Sequence, residues 1–249
     1  MAEHRYMTRI SQAGNPINLS DAKGWIKLLK NPKKIFCLIA GILGTSKPEH
    51  VLAAGRLFDA AIKWNLLSQL GEELEGYIKR GTIKENFIET KREQTSFLEL
   101  LKFIEEEVTD DDRFKAIKSI FFISISTQVS ETDKILAYEL LKICKQLNSG
   151  EIVVLKTVYD LVNGKGVNGL AIDLNAEILA AEKWLDVVAN QLGHRIPLLV
   201  EIYEQKLIDL KLLSERKYND RSGVNPKNFR LTDLGIKFCE FIIKYDAHN

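Results

Sequence analysis

The chain has 249 residues, 45% hydrophobic and 28% charged, which is enough apolar material for one large domain or two small ones and excludes global disorder. Lysine and arginine total 35 against 34 acidic residues, so the whole chain is not a basic nucleic-acid binder and any electrostatic footprint must be local. Cys37, Cys144 and Cys239 are odd in number, far apart and each set in an apolar run, the pattern of buried, reduced thiols in a cytoplasmic protein.

Residues 1–18 lack periodicity and read as a loose arm with no secretory signal. Ser20-Asp21 opens a helix carrying Trp25, Ile26, Leu28 and Leu29 between Lys23, Lys27 and Lys30, and Asn31-Pro32 closes it. The apolar run Ile35 to Leu43 is the longest in the chain and falls short of the roughly 20 residues a bilayer span needs. Lysine-rich residues 17–44 suit an interfacial helix on an anionic membrane, but a core helix with its lysines in water is the expected state, and a membrane partner is not expected.

Ser46-Lys47-Pro48-Glu49 is a helix start, and Val51, Ala54, Leu57, Phe58, Ala61 and Ile62 follow at helical spacing. Gly71, Gly76 and Gly81 punctuate the next stretch. A long helix is expected over Glu85 to Val108, with Phe97, Leu101, Ile104 and Val108 as its stripe. Thr109 and the acids Asp110 to Asp112 cap the next helix, and Ser130 to Asp133 cap another before Leu136, Leu140 and Cys144. The acidic runs at 105–107 and 110–112 lack the alternating ligands and central glycine of a calcium loop and read as solvated helix ends. Asn148-Ser149-Gly150 is a turn cluster and the expected domain boundary, giving a helical domain at 19–148 and a second domain at 149–249.

In the second domain, helices are expected over Ile152 to Val162, Asn175 to Leu192 and Ile196 to Leu210. Strands at Leu212 to Tyr218 and Phe229 to Thr232 flank the turn Asn219-Asp220-Arg221-Ser222-Gly223, and a last helix covers Thr232 to Tyr245. Gly164 to Gly169 match G-x-G-x-x-G, but a dinucleotide site needs a preceding strand and an alternating strand–helix pattern, so a turn is the expected reading. The four histidines are scattered, no His/Cys spacing fits zinc, and no nucleophile elbow is present. No cofactor, metal or catalytic residue is expected. His194-Arg195 reads as a surface turn ahead of the third helix.

The segments Leu207-x-x-Leu210-x-Leu212-Leu213-x-x-Arg216, Asn219-Asp220-Arg221 and Leu231-Thr232-x-x-Gly235 resemble the winged-helix family of bacterial regulators, especially the multiple-antibiotic-resistance type. The resemblance covers roughly the last two fifths of the chain. It implies that these residues mark the end of a recognition helix, a wing and the start of the following helix. The expected fold is therefore mostly α, a helical N-terminal region plus a C-terminal winged-helix-like domain with a small β wing.

Residues 195–230 hold eight basic and five acidic side chains, a surplus concentrated in the wing. Lys211, Arg216, Lys217, Arg221, Lys227 and Arg230 are the candidate phosphate contacts of a DNA-binding wing. The third helix argues the other way. With Leu199, Ile202 and Tyr203 as its apolar face, Glu201 and Glu204 are expected outward, where they repel phosphates. The first expectation is a non-enzymatic bacterial regulatory protein that holds nucleic acid through its wing. The alternatives are an adaptor that uses the winged helix to contact protein, and a peripheral-membrane protein using residues 17–44.

Overall fold

The computed structural model describes residues 54–106, 111–164, 181–193, 197–215 and 230–245. The expected N-terminal arm, the helix from Ser20, the apolar run at 35–43 and the Ser46 helix start lie outside the described residues. The chain divides into two compact units, residues 1–141 and 142–249. The described residues are mostly helical, with no strand. Their helices are α1 (Ala54–Lys79), α2 (Lys91–Glu106), α3 (Asp111–Ile125), α4 (Glu131–Cys144), α5 (Ser149–Val162), α6 (Ala181–Gln191), α7 (Pro197–Asp209) and α8 (Asp233–Lys244).

In the first unit, α1 runs through Gly71 and Gly76 and stops before Gly81, whose φ of 71° suits glycine. The two internal glycines punctuate nothing. Each costs about 1 kcal/mol relative to alanine in a helix, and burial of Leu66, Leu67, Leu70, Leu74 and Tyr77 outweighs that. The long helix expected from Glu85 begins only at Lys91. Thr90 and Glu93 form a reciprocal cap there, with the Glu93 amide donating to Thr90 Oγ1 at 3.2 Å and the Thr90 amide to Glu93 Oε2 at 2.7 Å. Phe87 and Ile88, ahead of that cap, are buried from a turn.

Helix α3 is the centre of this unit. Its first-turn acids Asp111 and Asp112 are exposed, and from Ala116 to Ile125 every side chain is buried. A helix apolar on one side only would leave an outer face in water; this one is enclosed all round. Phe121 and Phe122 join a ring cluster with Phe97, Phe87 and Tyr77, at centroid spacings of 5.0 to 5.8 Å. The end of α3 is fastened to the turn after α1. Ser126 bridges Ile83, and the Thr127 amide donates to the Thr82 carbonyl at 2.8 Å. Ser130 Oγ accepts the Asp133 amide at 3.1 Å, the expected start of α4.

In the second unit, Asn148 caps α5 with a full capping box: its side chain accepts the Glu151 amide at 2.9 Å, and Glu151 accepts the Asn148 amide at 2.7 Å. α5 then packs against α6, α7 and α8, and α6 against α7. Two glycines permit the closest approaches. A Cβ on Gly150 would overlap the Tyr203 ring of α7, and one on Gly235 would overlap the Leu212 carbonyl. Thr232 caps α8 by accepting the Gly235 amide at 2.9 Å, so the L-T-x-x-G sequence fixes both the helix start and that approach.

Gly235→Ala is expected to destabilise the protein by about 2 kcal/mol or more, through overpacking against backbone. Gly76→Ala, whose Cβ would meet only the tip of Arg80, is expected to be neutral or to stabilise by up to about 1 kcal/mol. Urea denaturation of both variants checks the opposite signs.

Candidate functional site

Of the residues that carried the winged-helix resemblance, Leu207, Leu210, Leu212, Leu213, Leu231, Thr232 and Gly235 are described, and they lie around the end of α7. The Leu212 amide donates to the Leu207 carbonyl at 2.9 Å and turns the chain out of the helix. Lys211 occupies that turn with φ 61°, a left-handed conformation that costs a residue with a Cβ about 1–2 kcal/mol. The chain then lies beside residues 230–232. Leu213 and Leu231 form an antiparallel bridge, the Ser214 amide donates to the Arg230 carbonyl at 2.9 Å, and Thr232 donates to Leu212 at 3.2 Å. Thr232 Oγ1 also donates to the Lys211 carbonyl at 2.7 Å. Leu207, Leu212, Leu213 and Leu231 are buried beneath this junction. One bridge is not a sheet. Leu212, Ser214, Glu215, Arg230 and Thr232, also within the expected strands, form no bridge, and residues 216–218, 229 and the turn between them lie outside the described residues.

The six candidate phosphate contacts do not share one fate. Lys211 is exposed. Arg216, Lys217, Arg221 and Lys227 lie outside the described residues. Arg230 is interior, 2% exposed, and is corrected from a phosphate contact to a buried anchor. Its guanidinium forms an ion pair with Glu204 of α7 and stacks over the Trp184 ring of α6 at 4.5 Å. Its Nε donates to the Ser214 carbonyl at 3.0 Å. A planar fork with several donors suits this use, since it meets a carboxylate, a carbonyl and a ring face together.

That anchor also corrects the register of α7. Glu204 points inward, 1% exposed, on the same face as Val200 and Leu207. The expected apolar face of Leu199, Ile202 and Tyr203 is rotated away from this, and Ile202 is 61% exposed. The outward stripe is Leu198, Glu201, Ile202, Gln205 and Asp209. Gln205 donates to Asp209 Oδ1 along it at 3.0 Å. Lys206, the one basic residue of α7, sits half-buried at the stripe's edge.

Burial raises the Cys239 thiol well above its ordinary range, and its Sγ meets the Leu155 carbonyl at 3.7 Å. Burial, then the neighbouring Glu240, raises the Tyr159 phenol. Gly164 follows helix α5 rather than a strand, which removes the context a dinucleotide fingerprint requires. Among the described residues no group of three His, Cys, Asp or Glu could hold a metal ion, and no helix is long and apolar enough to cross a membrane.

No protein-family model, no curated protein and no solved structure matches this chain. The winged-helix resemblance therefore rests on the residues quoted for it.

Removing one member of the buried pair strands the other's charge. Arg230→Met alone and Glu204→Met alone are each expected to cost about 3–5 kcal/mol in urea denaturation, whereas the double variant recovers most of that loss.

Proposed function

We propose that residues 142–249 form a winged-helix-like recognition module in a non-enzymatic, cytoplasmic regulatory or adaptor protein, and that the module docks a protein on the outward face of α7. The observation that carries this reading is the composition of that face. In a winged helix used on DNA, the third helix enters the major groove, and basic and amide side chains there meet phosphates and base edges. The outward stripe of α7 holds one amide, Gln205, with Lys206 at its edge, and its other members are Leu198 and Ile202, each 61% exposed, with Glu201 and Asp209. Carboxylates repel phosphate, and exposed aliphatic side chains gain from burial against another apolar surface.

Nucleic-acid binding through the wing is the second reading. It is favoured by exposed Lys211, which leads in sequence to Arg216, Lys217, Arg221 and Lys227. Loss of Arg230 to the interior weakens it by one contact. In both readings the first unit supplies a self-association or second binding surface.

Titration of the whole chain with random-sequence duplex DNA across a salt series separates the two. Weak binding with little salt dependence is expected. A log–log salt slope of about −4, flattened by about 3 in the Arg216→Ala/Lys217→Ala/Arg221→Ala variant, would move the assignment to the wing.

A further inference from the structure

The glycine-rich run after α5 opens on an Asn-Gly pair at the very end of that helix. Asn163 is its C-cap, with φ −89° and ψ 13°, and Gly164 follows with φ 70°. Both residues are exposed. In an Asn-Gly pair the backbone can close on its own side chain. The nitrogen after the asparagine and the side-chain amide carbon are placed to form a five-membered ring, and glycine puts no side chain in the way. At Gly164 the surroundings are open as well, since a Cβ built there would meet nothing within 4 Å.

While the helix end is formed, both reacting groups are occupied. The Gly164 amide, the nucleophile, donates to the Leu161 carbonyl at 3.1 Å. The Asn163 side chain, the electrophile, donates from Nδ2 to the Tyr159 carbonyl at 2.7 Å. The Asn163 amide donates to the same carbonyl at 3.1 Å. The cap must therefore open before the groups can react. An exposed last turn is where a helix opens most readily.

We propose that Asn163 is a site of spontaneous self-modification, at which opening of the α5 C-cap lets the Gly164 nitrogen attack the Asn163 side chain. The nitrogen gives up its proton and bonds to Asn163 Cγ. The Cγ–Nδ2 bond breaks, and the side-chain nitrogen leaves as ammonia with that proton. Water then opens the resulting succinimide at one carbonyl or the other, leaving aspartate or isoaspartate. No oxidant or reductant takes part. The product lacks the donor that met the Tyr159 carbonyl, and it places a carboxylate at the negative end of the α5 dipole, three residues after Asp160. The change is one-way, so it leaves a permanently weaker end on the helix that packs against α6, α7 and α8.

The test ages the full chain in mildly alkaline buffer, folded and in urea, and maps it by trypsin digestion and mass spectrometry. Cleavage after Lys156 and Lys165 isolates Asn163 in its own peptide, apart from the second Asn-Gly pair at Asn168-Gly169. In the folded chain that peptide is expected to convert from amide to acid, with isoaspartate among the products. The rate is expected to be about tenfold or more below that of the urea-unfolded chain, because the reaction tracks the population of the open cap. Conversion in urea with none in the folded chain would overturn the site, since the helix end then stays shut. Equal rates in the two states would overturn the gating by the cap. Asn163→Asp, which reproduces the aspartate product, is expected to have a lower urea midpoint than Asn163→Ala, which removes the donor without adding a charge. Equal midpoints in the two variants would overturn the weakening of α5 by the new carboxylate.

Discussion

A guanidinium enclosed by a carboxylate, a carbonyl and an indole governs the C-terminal unit. Arg230 comes from the segment before α8, Glu204 from the middle of α7, Trp184 from α6, and the Ser214 carbonyl from the turn after α7. No two of these are neighbours in sequence, so the group forms only when all four elements are in place. Desolvating a charge costs several kcal/mol unless the partner geometry is good, so such a pair adds little net stability over an apolar plug of the same shape. Its effect is on specificity: it permits one rotation of α7 about its own axis. That rotation places Leu198 and Ile202 in water and Glu204 inside.

The first unit contains a related device. Lys118, in the enclosed helix α3, is nearly buried, and its ammonium meets Glu73 of α1 and faces the Phe114 ring at 5.3 Å. A helix apolar all round could settle at several rotations against its neighbours. Pairing the Lys118 ammonium with Glu73 favours the rotation in which that charge is neutralised. In each unit, then, apolar burial supplies the driving force and a buried ion pair selects the register.

Features governed by local chemistry were legible in the sequence. The Asn148 turn, the Ser130 cap and the Thr232-x-x-Gly235 helix start could be placed because a cap satisfies amides three residues away. The features that depended on distant partners were not. α7 is apolar at Leu198, Leu199, Val200, Ile202, Tyr203, Leu207 and Ile208, which lie almost all round the helix, so periodicity cannot choose its inner face. The choice comes from Arg230, and nothing in spacing links Arg230 to Glu204. Gly71 and Gly76 misled for a similar reason, since their weak local preference gave way to the buried leucines around them. Thr90-Lys91-Arg92-Glu93 was a missed local signal, since the helix expected from Glu85 ran straight through it.

The fastening of Ser214 to Arg230 has a consequence for how this molecule can diverge. Both ends of the intervening stretch are anchored by the bridge between Leu213 and Leu231 and by the arginine beneath it. Lengthening the chain between two fixed ends costs closure entropy, which rises by about 0.6 kcal/mol for each doubling. A change in the number of residues between Ser214 and Arg230 is therefore cheap in closure entropy so long as the bridge and the arginine beneath it are kept, which makes these few contacts, rather than loop length, the point at which the junction is vulnerable to mutation.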